Sequence, residues 1–301
     1  MSLVVEHLSK KYGEKVAVED LSFSIPEPGV FAFLGTNGAG KSTSIRMILG
    51  MLSRDSGTVE WNGKPLDIMN EQVGYLAEER GLYPKYNILE QMYYFASIKG
   101  VKKRDANAAI DYLFSRLKID EYRKSKAEQL SKGNQQKVQL AAALLCNPQI
   151  IILDEPLSGL DPVNADLFKS VIREERDKGK YIIMSSHQME TIEEFCEDLV
   201  LLHHGKVVMS GNLNEIKKER GRENLTVKAD KPIADIAAQC GLTLVEETPN
   251  GSSFKVKSEE DAGKMLRTML DNGINVIKFD LREPSLHELF VEKCGGDVNE
   301  G

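Results

Sequence analysis

The spacing of apolar residues divides the chain into predicted strands and helices. Residues 3–8 and 21–25 alternate between apolar and polar, which predicts two paired antiparallel strands at the start of the fold. Apolar runs at 30–34 and 150–153 predict strands buried inside a sheet. From residue 88 to about 145, apolar residues recur every three or four positions, which predicts helices. Strands that alternate with helices favour an α/β fold with a mainly parallel sheet, here with a helical insert.

A second, smaller unit is predicted after the charged run at 217–223, which we interpret as a linker. Beyond it, the periodic segments follow the order strand, helix, strand, strand, helix, strand, as in ferredoxin-like domains. A final helix is expected near the end of the chain. The sequence therefore predicts an α/β domain over 1–216, with a helical subdomain at about 86–147, and a small α+β domain over 224–301.

Composition and charge narrow the function classes. The chain is 41% hydrophobic and 28% charged, as in ordinary globular proteins, and carries a net charge of −7. Because binding to nucleic acid needs clustered basic residues, we expect no nucleic-acid partner. No segment resembles a signal peptide or reaches the length of about 20 apolar residues that crosses a bilayer. The scattered cysteines indicate reduced thiols, so we expect a cytoplasmic protein whose membrane role, if any, is exerted through a partner chain.

Residues 35–43 fit the phosphate-loop pattern G-x-x-x-x-G-K-[ST] without a mismatch, between a predicted strand and a predicted helix. In that setting, glycines let backbone N–H groups surround phosphate oxygens at a helix N-terminus. Lys41 would reach the β- and γ-phosphates, and the Ser42 hydroxyl would ligate Mg²⁺. The pattern predicts that the chain binds a nucleoside triphosphate. The predicted phosphate-binding residues are Gly35, Thr36, Asn37, Gly38, Ala39, Gly40, Lys41, Ser42 and Thr43.

Asp154 and Glu155 follow the buried strand at 150–153, where ligand-binding residues lie in open α/β sheets. Beside a phosphate loop, Asp154 would hold Mg²⁺ directly or through water. Glu155 would act as the general base toward the attacking water. The alternative is a turn that caps the next helix. With the phosphate loop, the pair predicts hydrolysis of the triphosphate.

Residues 130–136, Leu-Ser-Lys-Gly-Asn-Gln-Gln, resemble the signature sequence of ATP-binding cassette (ABC) ATPases. Ser131 and the backbone N–H of Gly133 lie at a predicted helix N-terminus, whose partial positive charge suits a γ-phosphate. In the family, this helix addresses the nucleotide held by the opposite subunit. One loop and one signature per chain therefore imply a head-to-tail dimer with a second ABC ATPase subunit, identical or not. Ser131, Gly133 and Asn134 are the expected contacts.

Other motifs extend the resemblance over roughly residues 3–215 and imply a P-loop ABC-type nucleotide-binding domain that uses ATP and Mg²⁺. His187 resembles the switch histidine, which would bond the γ-phosphate and hold the attacking water; the alternative is a surface or packed histidine. Tyr12 stands where the family stacks an aromatic ring on adenine, the alternative being a packing role. The residues that resemble the D-loop are Ser158, Gly159, Leu160 and Asp161.

Two departures from the family pattern bear on the site. Lys132 and Asn134 replace family residues within the signature, which leaves the serine and the following glycine for phosphate contact. Glu78 stands where the family has a glutamine. Glu78 could ligate Mg²⁺ in place of that glutamine, or it could belong to a solvated segment, with Glu79 and Arg80, that never approaches the nucleotide.

The segment at 79–84 belongs, in this family, to the groove that receives a short helix from the membrane subunit. Leu82, Tyr83 and Pro84 are the expected permease contacts, with core packing of the first two as the alternative. The amino-acid sequence of this segment is most similar to that of bacterial sodium-extrusion and drug-efflux exporters. The resemblance implies an ATPase subunit, peripheral at the inner face of the cell membrane, that drives a separate permease by ATP-dependent dimer closure. The alternatives are a soluble ABC ATPase and a non-hydrolysing scaffold.

Overall fold

The computed structural model of the protein describes residues 1–68, 73–78, 81–194, 196–249 and 251–295. By its internal contacts, the described chain divides into one unit that ends at Ser210 and a second that begins at Gly211. The domain bounds given above stay a prediction. None of the helices in these residues is long and apolar enough to cross a membrane.

Two sheets build the first unit. Its strands, in chain order, are β1 (Leu3–Tyr12), β2 (Lys15–Ile25), β3 (Gly29–Gly35), β4 (Ser56–Trp61), β5 (Lys64–Pro65), β6 (Val73–Leu76), β7 (Ile150–Leu153), β8 (Tyr181–Ser186), β9 (Asp198–His203) and β10 (Lys206–Asn212). One sheet has antiparallel neighbours in the order β2-β1-β4-β5. The other has the order β10-β9-β3-β8-β7-β6, in which β9 through β6 run parallel. The predicted α/β class, with a mainly parallel sheet and added antiparallel strands, is confirmed.

Helices flank these sheets and form the insert. They are α1 (Lys41–Ile48), α2 (Ile88–Ile98), α3 (Lys103–Leu117), α4 (Lys132–Leu144), α5 (Pro162–Asp177) and α6 (Met189–Glu193). The insert between β6 and β7 comprises α2, α3 and α4, as predicted. Helix α6 is short and begins only at Met189. The reason is a turn in which the Gln188 N–H donates to Ser186 Oγ, so residues 187 and 188 are not helical.

The parallel strands place their carboxyl ends at one edge of the sheet. Side chains such as Phe33, Ile152 and Ile183 have no exposed surface, and burying each contributes about 1.5–3 kcal/mol. The strands lie in register, with Leu34 opposite Ser186 and β7 beside β8. Polar residues that follow β3, β7 and β8 therefore meet at the same edge.

The second unit is a four-stranded antiparallel sheet with helices. Its elements are α7 (Leu213–Arg220), β11 (Asn224–Ala229), α8 (Ala234–Gln239), β12 (Thr243–Thr248), β13 (Gly251–Lys255), α9 (Glu259–Asp271), β14 (Val276–Arg282) and α10 (Leu286–Cys294). The strand order β12-β13-β11-β14 is ferredoxin-like, as predicted. One face packs on α8 and α9 around Phe254, Met265 and Met269.

Helix α7 was not predicted, and it includes the first four residues of the expected linker at 217–223. Its charged sequence has one buried side chain, Leu213, and so shows no apolar period. Asn212 caps the helix by accepting hydrogen bonds from the N–H groups of Asn214 and Glu215. The cap, rather than an apolar face, marks this helix in the sequence.

Candidate nucleotide-binding site

The loop between β3 and α1 has a backbone that requires glycine. Gly40 caps α1 with a φ of 106°, and a Cβ at this position would lie 2.6 Å from the carbonyl O of Ala17. At Gly35, a Cβ would lie 2.4 Å from the carbonyl O of Leu202. A side chain at either position would displace backbone. The loop thereby stays narrow and leaves the N–H groups at the start of α1 open to an anion.

Lys41 holds the centre of this loop with a buried ammonium group. Its Nζ donates to the carbonyl O of Gly35 at 2.8 Å and of Thr36 at 3.2 Å. It also lies 3.3 Å from Glu155 Oε1, and both side chains are about one-twentieth exposed, at 6% and 5%. A buried charge of this kind needs a partner, and removing one member of such a pair typically costs about 3–5 kcal/mol. Lys41 and Glu155 therefore fix each other's position in the site.

One carboxylate oxygen of Asp154 accepts hydrogen bonds, and the other accepts none from the described residues. Oδ1 accepts hydrogen bonds from Ser185 Oγ at 2.6 Å and Ser42 Oγ at 3.3 Å. Oδ2 is buried and has no hydrogen-bond partner among the described residues. Burial raises the pKa of the nearby Tyr75, and the charge of Asp154 raises it further. A buried carboxylate oxygen without a donor is costly, so this side of Asp154 suits a cation.

The donor set fits Mg²⁺ shared with a substrate. Mg²⁺ prefers oxygen ligands and is commonly held by one or two protein groups together with phosphates and waters. Ser42 Oγ and Asp154 Oδ2 supply such oxygens beside the phosphate loop. No group of three or more His, Cys, Asp or Glu residues in the described chain could hold a metal by itself. This agrees with an ion held jointly with a nucleotide rather than in an all-protein cage.

Glu155 lies between a cation and an imidazole. Its Oε2 is 2.9 Å from His187 Nδ1, and its Oε1 faces Lys41. The backbone of Glu155 is left-handed, with a φ of 49°, and its N–H donates to Ser185 Oγ at 2.9 Å. Because a non-glycine residue in this conformation carries strain of order 1–3 kcal/mol, the Ser185 hydrogen bond helps to hold it. The carboxylate is thus aimed at the phosphate loop.

Lys41, Ser42 and Glu155 line one cleft of about 270 Å³. Its lining includes Tyr12, the phosphate loop, Glu78 and Glu155, together with Lys15 and Ala17. The Tyr12 ring is half exposed and has Lys10 Nζ 5.7 Å from its centroid, which does not agree with the packing alternative. Stacking on adenine stays a prediction.

Glu78 is exposed and lines this cleft, so it does not lie on a remote solvated face. Its neighbours Glu79 and Arg80 lie outside the described residues. The structure places Glu78 within reach of the nucleotide region, and its role in place of the family's glutamine stays a prediction.

The signature residues lie apart from this cleft, at the start of α4. Ser131 is the N-cap, and its Oγ accepts a hydrogen bond from the Asn134 N–H at 3.3 Å. Ser131 is exposed, and Gly133 is half-buried. In the D-loop, Asp161 caps α5 by accepting from the Asn164 N–H at 3.0 Å. Nucleotide contact by these residues, through a second subunit, stays a prediction.

The expectation that Leu82 is exposed for a permease is wrong. Leu82 is buried, whereas Tyr83 and Pro84 are exposed. The cause is Gln91, whose Oε1 accepts from the Tyr83 N–H at 2.8 Å and whose Nε2 donates to the Tyr83 carbonyl O at 3.1 Å. This clamp turns Leu82 inward and Tyr83 outward, beside the exposed ring of Tyr86. Permease contact by Tyr83 and Pro84 stays a prediction.

Comparison with known proteins places the chain in a family. The family model described as "ABC transporter" matches residues 18–158. The chain is 42% identical to the uncharacterized ABC transporter ATP-binding protein YhaQ of Bacillus subtilis (strain 168), over 97% of this chain and 98% of that protein. The chain belongs to the ABC transporter ATP-binding proteins. It is accordingly an ABC ATPase, as the resemblance of the signature and the accompanying motifs implied.

Other comparisons extend this ABC ATPase assignment. A model described as "ATP-binding protein DrrA1-3-like, C-terminal domain" matches residues 211–294. The Nod factor export ATP-binding protein I of Sinorhizobium fredii (strain NBRC 101917 / NGR234) is 28% identical over 100% of this chain and 88% of that protein. A solved structure titled "Structure of ATP binding subunit of ABC transporter" has a TM-score of 0.68 and 31% identity, and covers 73% of this chain and 94% of that one.

Sequence reasoning missed Ser185 as a residue of the ABC ATPase site. Ser185 has no exposed surface and bonds both Asp154 and Glu155. The signal was present, because Ser185 is a polar residue at the end of an apolar strand. What the sequence lacked was the pairing of β8 with β7, which brings that end beside Asp154.

Proposed function

We propose that this ABC ATPase is the ATP-hydrolysing subunit of a bacterial exporter and drives a separate membrane permease. The observation that carries the hydrolytic part is the position of Glu155, which lines the cleft with Lys41 and Ser42 and contacts both Lys41 and His187. Beside it, Asp154 has a buried Oδ2 without a hydrogen-bond partner among the described residues. Export is supported by the similarity to the Nod factor export protein and by the amino-acid sequence of residues 78–84, which resembles that of bacterial exporters. The protein would lie in the cytoplasm, peripheral to the inner face of the membrane.

ATP binding begins with an exchange of partners at Lys41. The ammonium leaves the carbonyl oxygens of Gly35 and Thr36, which it holds at 2.8 and 3.2 Å, for the more strongly anionic β- and γ-phosphates. Backbone N–H groups at the start of α1 donate to the same phosphates, where the helix dipole favours negative charge. Tyr12 stacks on adenine at the rim of the cleft.

Ser42 and Asp154 would hold Mg²⁺, and Glu78, which lines the same cleft, would be a further oxygen ligand. Bound there, Mg²⁺ would neutralise charge on the β- and γ-phosphates. Ser185 holds Asp154 Oδ1, which leaves Oδ2 as the oxygen that would bind the cation. Both the metal and its ligand set stay proposals.

Hydrolysis uses Glu155 as the base. Once Lys41 turns to the phosphates, Oε1 of Glu155 can accept the proton of a water aligned with the γ-phosphate. The oxygen of that water forms the new P–O bond while the bond to the β-phosphate breaks, giving ADP and inorganic phosphate. His187 holds Oε2 of Glu155 through Nδ1, and its other ring nitrogen would bond the γ-phosphate.

Coupling to transport requires a second ABC ATPase subunit, identical or not. Ser131 and Gly133 at the start of α4 would contact the γ-phosphate held by the opposite subunit, so that two ATP molecules close the dimer. Hydrolysis removes this shared contact and opens it. The motion would pass to the permease near residues 78–86, where Tyr83 and Pro84 are exposed. The net charge of −7 supports the absence of a nucleic-acid partner.

Steady-state phosphate release by the Glu155→Gln variant tests the hydrolytic assignment. Turnover should fall by about 10²–10⁴-fold, the usual contribution of a general base, while ATP binding and ATP-dependent dimerisation persist. Glu190→Gln, an exposed acid in α6, is the matched control and should retain turnover. Turnover near that of the wild type in Glu155→Gln would refute the base.

Association with a permease tests the coupling. The protein should co-purify with the product of an adjacent permease gene, and Tyr83→Asp should reduce that association because a charge cannot replace the exposed ring in an apolar contact. Unaltered association in Tyr83→Asp would remove this residue from the contact, and no association in the wild type would refute coupling to that permease.

A further inference from the structure

Glu78 and Lys132, which both depart from the family pattern, line the same cavity. It has a volume of about 280 Å³ and lies between α4 and the carboxyl edge of the sheet. Glu155 and Ser158 also line it. Glu78 and Glu155 line the nucleotide cleft as well, so these two carboxylates stand between the two cavities. Residues that the sequence places 54 positions apart thereby share one solvent-filled space.

The two carboxylates differ in how their charge is balanced. Glu155 is buried, and Lys41 Nζ lies 3.3 Å from its Oε1. Glu78 is exposed, and a triphosphate in the neighbouring cleft would repel it. Of the described residues that line the shared cavity, Lys132 brings the positive charge; the others besides the two acids are glutamines and a serine. Lys15 and Lys41 line the nucleotide cleft on the other side of Glu78, so Lys132 is the cation that this second cavity supplies to balance Glu78.

The side chain of Lys132 packs against the D-loop of the same chain. A Cβ built on Gly159 of the D-loop would stand 3.0 Å from Lys132 Nζ and 3.6 Å from its Cε. Gly159 has a φ of 70° and leaves the room that this side chain occupies. The ammonium of Lys132 therefore lies against the D-loop at Gly159, in the wall of the cavity that Glu78 also lines.

Close packing fixes α4 beside the strand that leads to Glu78. Gly74 in β6 lets the helix approach so nearly that a Cβ there would lie 2.3 Å from the carbonyl O of Ala143. Helix α4, which starts at Lys132, and β6, which is followed by Glu78, thus keep a constant relation. The backbone on the two sides of the cavity is therefore held in place.

We propose that Lys132 and Glu78 form a charge-compensating pair across this cavity. Lys132 is a positioning residue: it balances the carboxylate that replaces the family's glutamine, so that Glu78 can stand at the edge of the nucleotide cleft without weakening triphosphate binding. The pair links the signature segment to the nucleotide cleft of the same chain. Its effect on ATP rests on the proposed function, whereas the pairing itself belongs to the nucleotide-free protein.

The size of the cavity sets the expected strength. A sphere of this volume is about 8 Å across, and two unit charges at that separation in a watery surrounding change an equilibrium constant by about threefold. Replacing Lys132 by an acid turns attraction into repulsion and doubles the effect on a logarithmic scale. Lys132→Glu should therefore change the equilibrium constant of unfolding about tenfold more when residue 78 is glutamate than when it is glutamine.

A double-mutant cycle in nucleotide-free protein tests the pairing. The variants are Lys132→Glu, Glu78→Gln and the double variant, unfolded in urea and followed by the fluorescence of Trp61, the chain's one tryptophan, which is buried in the first unit. The unfolding constants should be non-additive by about tenfold. Lys124→Glu, a second exposed lysine of the helical insert outside this cavity, should be additive with Glu78→Gln. Additivity of Lys132→Glu within twofold would overturn the pairing.

The milder Lys132→Gln keeps the test valid if Lys132→Glu does not fold. Only the attraction is then removed, and a coupling of about threefold is expected in the same cycle. Additive effects in the Gln series would overturn the pairing in the same way.

Binding of a fluorescent ATP analogue without Mg²⁺ tests the role toward the nucleotide. Lys132→Glu should weaken the affinity, and adding Glu78→Gln should restore most of it. Failure of the wild type to bind would refute the proposed function itself. Normal binding and hydrolysis by the wild type, with affinities that are additive across the cycle, would overturn this inference alone.

Discussion

Replacing Ser185 by alanine removes the hydroxyl that lies between the Asp154 carboxylate and the backbone N–H of Glu155. The hydroxyl donates to Asp154 Oδ1 at 2.6 Å and accepts from the Glu155 N–H at 2.9 Å. The side chain has no exposed surface, so water cannot readily take its place. Alanine fills almost the same volume, and the loss is therefore one of hydrogen bonding rather than of packing.

The magnitude follows from the two bonds. A hydrogen bond to a charged group contributes about 1.5–3 kcal/mol, and a buried N–H left without an acceptor costs about 1–3 kcal/mol. Ser185→Ala should therefore lower the free energy of unfolding by about 3–5 kcal/mol. In the assembled site, Asp154 loses the partner that orients it, and removal of such a partner commonly costs 10–100-fold in metal affinity or activity. We expect the Mg²⁺ concentration for half-maximal ATP hydrolysis to rise by about tenfold or more.

The assay is phosphate release as a function of Mg²⁺ concentration, beside urea unfolding. Ser186→Ala is the matched control, because the neighbouring hydroxyl is also buried but accepts one backbone bond, from the Gln188 N–H at 2.9 Å. Ser185→Thr keeps a hydroxyl and should restore much of the Mg²⁺ response. If Ser185→Ala kept the Mg²⁺ dependence of Ser186→Ala within twofold, Ser185 would not orient Asp154.

Three further outcomes are expected. Lys41→Ala should weaken ATP binding at least about 100-fold, since it removes a buried charge-assisted contact and leaves Glu155 unbalanced; near-normal binding of a fluorescent ATP analogue would contradict the exchange at Lys41. Tyr12→Ala should weaken the same binding about fivefold and Tyr12→Phe should not, because a stacked ring contributes about 1 kcal/mol; equal affinities would exclude stacking. In the C-terminal unit, partial burial raises the pKa of Glu288, but the hydrogen bond from Arg282 and other donors outweigh this and lower it from 4.5 to about 2. The ionised Glu288 therefore stabilises the fold above about pH 4.5, and this stabilisation is lost as the pH falls from 4.5 toward 2. The measurement is amide hydrogen exchange of α10, corrected for the intrinsic exchange rate. Glu288→Gln should remove the pH dependence of that exchange.

The parts of the site that the sequence predicts are those whose geometry is determined by a few consecutive residues. The phosphate loop around Lys41 is one such part, because the geometry of a strand, a glycine-rich turn and a helix is local. Asp154 and Glu155 are another, since a buried strand delivers them to the edge of the sheet. The ferredoxin-like order of the second unit is predicted for the same reason, as each of its segments shows its own periodicity.

The parts that the sequence does not predict depend on contacts between distant segments. The role of Ser185 requires β8 to lie beside β7. Leu82 turns inward because Gln91, in the next helix, clamps the loop at Tyr83. The cavity shared by Glu78 and Lys132 depends on how α4 packs against β6, which no local pattern records. Helix α7 was missed since a charged helix with one buried residue has no apolar period.

The central claim is that two copies of the chain hold the same triphosphate, one through Lys41 and the other through Ser131. The most direct measurement is a structure of Glu155→Gln assembled with ATP and Mg²⁺, in which hydrolysis cannot reopen the dimer. We predict that Ser131 Oγ of one copy lies about 3 Å from a γ-phosphate oxygen bound by Lys41 of the other. A closed, ATP-loaded assembly in which Ser131 lies far from any nucleotide would contradict the account.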